Sequence, residues 1–175
     1  MRLLTKPSLW KLMVLLMASG MLLTACEKFN WFEHHKKLHD KCPETTPFDL
    51  NVNLRGEAKK SGLIKFRQDP DAAKIITLDV SVQNLKPTHE YLLQRAVDAL
   101  NELDCNCTST TWLTLGKGLV PQSILTDKYG KGSEALWRDV TAVAPGSKFD
   151  IHFQVIDAVS LDIVLKSDCY QYQVR

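Results

Sequence analysis

The sequence lacks the motifs by which several classes of hydrolase are recognised. Beyond residue 26 its 175 residues contain no Gly-x-Ser-x-Gly, Ser-x-x-Lys or His-Glu-x-x-His pattern. A hydrolase with an unrecognised site remains an alternative, because a catalytic triad can be assembled from residues that are distant in sequence. The chain also has no internal repeat and no low-complexity tract, and beyond residue 26 it shows no long helical periodicity. These absences favour a single domain of short elements.

Residues 1–25 have the composition of a secretory signal peptide. Three basic residues precede an apolar run over residues 12–23, which is shorter than the ~20 apolar residues that cross a bilayer. The run ends in Leu-Thr-Ala-Cys, which resembles the lipobox of bacterial lipoproteins. The resemblance implies cleavage before Cys26 and lipid attachment to its sulfur. Because Glu27 is not Asp, it further implies delivery to the outer membrane, with the domain facing the periplasm or the exterior. An ordinary signal peptide with a chance cysteine is the alternative.

Without that segment the chain has almost no net charge. The formal net charge of the whole sequence is +2, and removal of Arg2, Lys6 and Lys11 leaves 19 basic residues against 20 acidic ones. Proteins that bind nucleic acid electrostatically need a clustered basic face. We therefore expect no nucleic acid among the partners of this protein.

Residues 26–47 form a charged, histidine-containing segment that we interpret as a stalk between the lipid and the domain. If it is helical, His35 and His39 lie one turn apart on one face, a spacing that can chelate a metal. His34 could take part in the same site. The three lysines beside these histidines favour a solvated stalk instead, and a metal-handling lipoprotein is kept as an alternative function.

From residue 48 onward the hydrophobic periodicity changes to two. Leu50, Val52 and Leu54 alternate with polar residues, as expected of strands with one buried face. This pattern, with turn residues between its segments, predicts an all-β domain over residues 48–175. We expect an antiparallel Greek-key sandwich of about eight strands and one short helix over residues 97–103. The candidate strands are residues 48–55, 63–67, 76–83, 91–96, 112–115, 123–126, 134–138, 149–155, 161–165 and 169–174.

Four cysteines remain besides Cys26, namely Cys42, Cys105, Cys107 and Cys169. An even number of cysteines in an exported domain predicts two disulfides, for which three pairings exist. A bond between Cys105 and Cys107 is the least favoured, because residues two apart on an extended chain seldom reach disulfide geometry.

Five features occur in a recognisable order along the chain: residues 62–68 (GLIKFRQ), 85–91 (LKPTHEY), 107–110 (CTST), 126–130 (TDKYG) and Cys169. In turn, they resemble the opening strand, the turn before the copper ligands, the Cys-Thr-Ser loop, a Thr-x-Asp-type hairpin and the last cysteine of the copper–zinc superoxide dismutases. Chordin-type domains, which share the same sandwich, are similar at the same level. The resemblance implies a bond between Cys107 and Cys169, which leaves Cys42 for Cys105.

The metal ligands of that family are missing from this sequence. The two copper-binding histidines after the turn align with Leu92 and Gln94, which are poor ligands beside imidazole. No histidine occurs between Cys107 and Tyr129, where further ligands would follow, and His152 lies several residues before the remaining one. We therefore expect neither a bound metal in this domain nor dismutase activity.

The sequence as a whole favours a lipid-anchored envelope domain that binds a partner and is not an enzyme. We expect no cofactor. The expected partners are the membrane, through the lipid on Cys26, and an envelope protein or ligand that the sequence does not identify.

Overall fold

The computed structural model of the protein describes residues 48–98 and 104–175, which belong to one compact unit, His35–Arg175. Within the described residues the structure has twelve strands and no helix. Their bounds are β1 Asp49–Arg55, β2 Ser61–Gln68, β3 Ile75–Gln83, β4 Glu90–Val97, β5 Leu113–Thr114, β6 Gly116–Lys117, β7 Val120–Pro121, β8 Ser123–Leu125, β9 Gly132–Asp139, β10 Lys148–Asp157, β11 Ile163–Ser167 and β12 Tyr170–Gln173.

The strands join into one sheet that folds over into a nearly closed sandwich. Its order is β5-β4-β10-β11-β1-β2-β3-β9-β6-β7, with β12 beside β10 and β8 beside β4. All pairs are antiparallel except the short contact between β6 and β9. Strands β1 to β3 are consecutive neighbours, and the chain then crosses over to β4 and back to β9. This confirms the predicted all-β antiparallel sandwich.

About eight strands were predicted, and eight of the twelve observed strands have four or more residues. The other four, β5 to β8, have two or three residues each and lie between β4 and β9. The predicted helix does not begin at Val97, because this residue ends β4 in register with Ile151 of β10. The rest of the predicted helix lies outside the described residues, apart from Asp98.

Alternation of apolar and polar residues explains why β1, β2 and β3 form. In β3, Ile76, Leu78, Val80 and Val82 are buried, and the residues between them are exposed. Burying such a side chain stabilises the fold by about 1.5–3 kcal/mol. The core continues across the sandwich, where Phe66 of β2 meets Phe153 of β10 edge to face at 6.3 Å.

Strand β10 departs from simple alternation because both of its faces are covered. Ile151, Phe153 and Val155 face the core as predicted, but Asp150 and Gln154 on the other face are buried too. Polar contacts with residues 94–98 and 104–114 cover this outer face.

The prediction for β11 was wrong about which residues are buried. Leu161 and Ile163 are 64% and 47% exposed, and only Leu165 enters the core, at 1% exposure. The cause is the turn after β10, in which Asp157 accepts hydrogen bonds from the amides of Val159 and Ser160. Residues 158–162 are used by this turn, and the register between β10 and β11 shifts at residues 155 and 156.

Candidate functional site

An apolar cleft lies between the two layers at one end of the sandwich. Its volume is about 200 Å³, and most of its lining is aliphatic or aromatic, including Phe66, Phe149, Phe153 and Val143. Phe149 and Val143 are only partly buried, which leaves the cleft accessible from this end. A partly enclosed cleft with a mostly apolar lining is the kind of place where small ligands bind.

Two arginines line the same cleft. Arg95 lies on β4 in phase with the buried residues Tyr91 and Leu93, and Arg138 lies on β9 in phase with Leu136, so both occupy inward-facing positions. The side chains are half-buried. Burial lowers the pKa of the Arg95 guanidinium, and the positive charge of Arg138 lowers it further. An arginine nevertheless stays protonated at neutral pH, so two cations share an apolar environment.

Neither arginine forms an ion pair with a carboxylate of residues 48–98 or 104–175. Arg138 donates from Nη1 to the carbonyl oxygen of Gly118 at 3.2 Å. The exposed Asp139 accepts a hydrogen bond from the Thr141 amide at 2.7 Å, which lowers the pKa of its carboxyl group, and the charge of Arg138 adds a smaller contribution in the same direction. The cleft therefore combines apolar walls with two guanidinium groups that have no ion-pair partner in the described chain.

A buried network closes the wall of this end of the sandwich. The Gln68 side chain accepts hydrogen bonds from the Tyr172 hydroxyl at 2.7 Å and from the Arg175 amide at 2.9 Å. Burial raises the pKa of Tyr172, which also lines the cleft. Phe48 is the first described residue. Its carbonyl oxygen accepts a hydrogen bond from the backbone amide of Gln68 at 3.0 Å, and its ring stacks under the Arg175 guanidinium. Phe48 therefore lies at the cleft end of the sandwich.

The opposite end is organised by a buried carboxylate, Asp157. One carboxylate oxygen lies 2.9 Å from Nε2 of His89 and 3.2 Å from Nζ of Lys86. The other accepts the amides of Val159 and Ser160 at 2.9 and 3.1 Å. The contact with His89, followed by the two amides, holds the pKa of Asp157 well below its usual range. Sequence reasoning did not single out Asp157, because a lone Asp at the end of a strand carries no motif.

The same end joins two segments that carried the dismutase resemblance. Buried Thr126 donates its hydroxyl to the carbonyl oxygen of Lys86 at 2.6 Å and accepts the His89 amide at 3.0 Å. Gly130 has a φ of +73°, and a Cβ on it would lie 2.2 Å from the carbonyl oxygen of Leu85. Only glycine fits there, so residues 85–91 and 126–130 interlock as structural turns.

One of the two positions aligned with copper ligands, Gln94, belongs to a row of hydrogen-bonded side chains. Gln154 donates to Gln94 Oε1 at 2.8 Å, and Gln94 donates to Thr114 Oγ1 at 3.1 Å. On the same side of β10, the His152 ring lies 4.6 Å from Trp112, and its Nε2 is 3.0 Å from the carbonyl oxygen of Ser109. Within the described ranges, no group of three or more His, Cys, Asp or Glu side chains could hold a metal ion.

A disulfide fixes the loop that covers this face. Cys107 is bonded to Cys169, as the resemblance implied. Asp150 Oδ2 accepts the amides of Asp104 and Cys105 at 3.0 and 2.9 Å, and burial raises the pKa of this carboxyl group. Cys105 is disulfide-bonded as well. Its partner lies outside the described residues, so the bond to Cys42 stays a prediction.

The other predicted site residues cannot be placed. Cys26 and the histidines His34, His35 and His39 lie outside the described residues. Among residues 48–98 and 104–175, no helix has the length and apolar character needed to cross a membrane.

Comparison with known proteins adds no relative. The chain matches no family model, no curated protein and no solved structure. The likeness to the dismutases therefore stays a prediction from short segments, and the function has to be argued from the cleft and its two arginines. Arg95 and Arg138 were not among the candidate residues of the sequence. The signal that could have found them is an arginine in phase with the buried residues of a predicted strand.

Proposed function

We propose that this protein is a lipid-anchored envelope domain that binds a ligand in the inter-sheet cleft without chemically changing it. The observation that carries the proposal is the cleft, which has apolar walls and contains two inward-facing cations without a carboxylate partner in the described chain. A charge without an ion-pair partner is costly to keep in an apolar environment, because it loses part of its hydration there. Retaining two such charges is understandable if an anionic ligand neutralises them.

The use of the other reactive groups supports binding in preference to catalysis. Asp157 and His89 hold the turn at the far end, and Asp150 holds the loop that carries Cys105. His152 is in contact with Trp112 and Ser109. Each of these groups makes contacts that fix the fold, and none lines the cleft.

The proposed anchor is consistent with the position of the cleft. If Cys26 is lipidated, the 21 residues from Glu27 to Pro47 connect the lipid to Phe48. Phe48 contacts Gln68 and Arg175 beside the cleft, so the tether would join the domain at its binding end. A fully extended segment of this length reaches roughly 70 Å, which would let the domain sample the envelope around its anchor.

Mass spectrometry of small molecules that co-purify with the protein tests this proposal. The chain from residue 27 onward, without the lipid-bearing Cys26, would be exported behind an unrelated cleavable signal. Its disulfides can then form, and no lipid or detergent is needed. Purified under native conditions and then denatured, it should release a bound compound in near-stoichiometric amount.

A pair of valine substitutions provides the control. Val143→Trp should fill the cleft and abolish co-purification, whereas Val159→Trp, at an exposed site in the turn after β10, should leave it unchanged. A compound retained equally by both variants, or no compound in the unmodified chain, would contradict the proposed function.

A further inference from the structure

The charge and the size of the cleft together restrict the ligand it can hold. Arg95 and Arg138 come from strands in opposite layers, and both contribute to the lining of one cavity. Two guanidinium groups in an apolar cleft repel each other, and the effect of Arg138 on the pKa of Arg95 reflects this repulsion. A single anion between them would relieve the repulsion and accept charge-assisted hydrogen bonds from both, in a geometry that arginine is well suited to provide.

The rest of the cleft lining is apolar, so it fits a ligand whose anionic group is attached to a hydrocarbon group. Phe66, Phe153, Leu115 and Ile151 form the inner wall, and they offer no charged group to a second polar end of a ligand. An engineered apolar cavity of about 150 Å³ holds benzene. By proportion, the cleft volume of about 200 Å³ accommodates a hydrocarbon group of about eight carbons.

We infer that the cleft binds a free medium-chain carboxylate, with the carboxylate between Arg95 and Arg138 and the hydrocarbon chain against the inner wall. The inference rests on the proposed function and names the class of ligand for the same site. A monoanion fits better than a phosphate dianion, because an apolar cleft penalises each additional charge that loses its water. A diacyl lipid is excluded as the occupant, because its two chains greatly exceed the cavity volume.

Calorimetric titration with octanoate tests the inference on the lipid-free mature chain. Octanoate should bind in a one-to-one complex, more tightly than butanoate, which fills less of the apolar wall. Octanol and octylamine have the same hydrocarbon body but lack the negative charge, so both should bind at least 10-fold more weakly than octanoate. Phosphatidylglycerol vesicles should not compete with octanoate for the site.

Arginine substitutions locate the binding site. Arg95→Met and Arg138→Met keep much of the side-chain volume but remove the charge, and each should weaken octanoate binding by about 10-fold or more. Arg55→Met is the matched control, because Arg55 is exposed and forms a surface ion pair with Asp168 away from the cleft. It should leave octanoate affinity unchanged.

Urea unfolding without ligand distinguishes a binding role from a structural one. If Arg95 serves a ligand, Arg95→Met should leave the unfolding midpoint unchanged or raise it, because an unpartnered charge has been removed from an apolar environment. A marked fall in the midpoint would indicate a structural arginine and overturn the inference.

The remaining outcomes separate this inference from the proposed function. Absence of octanoate binding, equal loss in Arg55→Met and Arg95→Met, or binding to phosphatidylglycerol vesicles in place of octanoate would overturn the inference. If a different class of compound is displaced by Val143→Trp, the proposed function stands and the medium-chain carboxylate is wrong. If neither co-purifying ligand nor octanoate depends on the cleft, both fail.

Discussion

Charged side chains that are partly or fully buried in this protein differ in how many polar contacts they make. The Asp157 carboxylate is surrounded by a histidine ring, a lysine ammonium group and two backbone amides, which replace the hydration it loses. Of the two guanidinium groups in the cleft, that of Arg138 donates one hydrogen bond to Gly118, and that of Arg95 makes none within the described chain. The fully partnered carboxylate stabilises a turn, and we propose that the two guanidinium groups, which have no ion-pair partner in the described chain, serve a ligand.

The partnered charge makes stability depend on pH. Because the pKa of Asp157 is lower in the folded protein than its usual value of 3.8, its contribution to stability is fully present above that value. The contribution is lost as the pH falls further. We expect Asp157→Asn to lower the urea midpoint at pH 7, and the gap between variant and unmodified protein to narrow as the pH decreases below 3.8.

Asp162→Asn, in the same turn but with an exposed side chain, is the control and should show little change at either pH. Equal effects of Asp157→Asn and Asp162→Asn at pH 7 would contradict the role of Asp157 as the centre of the turn.

At the scale of elements, the loop over the outer face of β10 is held mainly by polar contacts and a covalent bond. Asp98 accepts the amides of Thr108 and Ser109, and Asp150 accepts those of Asp104 and Cys105. The disulfide joins this loop to Cys169, which lies between the end of β11 and the start of β12. Both of these strands pair with β10. A loop with few apolar side chains is thus kept in place over Asp150 and His152.

The disulfide should contribute a large share of the stability of this domain. The two cysteines are 62 residues apart, and in the chain-entropy treatment a closed loop of this length is worth about 4 kcal/mol. We expect the double variant Cys107→Ala, Cys169→Ala to lose an amount of that order in unfolding free energy, measured in urea without reductant.

The double variant Cys42→Ala, Cys105→Ala keeps the bond between Cys107 and Cys169 and measures the contribution of the other predicted disulfide separately. Non-reducing digestion of the unmodified protein should yield a peptide pair that joins Cys107 to Cys169. Recovery of Cys169 joined to Cys42, or free thiols at both positions, would disprove this pairing.

At the scale of the molecule, the two ends of the sandwich differ. The end near Phe48 contains the apolar cleft and its two arginines, whereas the other end is closed by the turn contacts of Asp157 and Thr126. Binding at the first end would bring the ligand close to the segment that leads toward Cys26.

The anchor itself is tested by the mass of the protein extracted from membranes. We expect the chain to begin at Cys26, with a diacylglyceryl group on the sulfur and an acyl group on the amine. Cys26→Ser should accumulate as precursor or as protein without lipid, and sucrose-gradient fractionation of the unmodified protein should place it with the outer membrane. A soluble chain with an unmodified, different N-terminus would refute lipid anchoring.

Local sequence patterns were sufficient to predict most of the strands. In β3, strict alternation of four buried residues with polar neighbours defines the strand and its inward face without knowledge of any neighbouring strand. Where the pattern was interrupted by a side chain that folds back on its own backbone, as with Asp157 and the amides after it, the predicted face of β11 was wrong for Leu161 and Ile163.

The candidate site was decided by tertiary structure. Alternation in β4 and β9 indicates that Arg95 and Arg138 face inward, but only the strand order brings them to the same cleft from opposite layers. Likewise, Asp150 is buried because a loop distant in sequence donates two amides to it, and Gln154 because its side chain bonds to Gln94 of the neighbouring strand β4. Neighbours along the chain are enough to establish the all-β class and which face of most strands is apolar. Which faces oppose each other, and which charged side chains share a cleft, depend on contacts between residues far apart in sequence, and these form only in the folded chain.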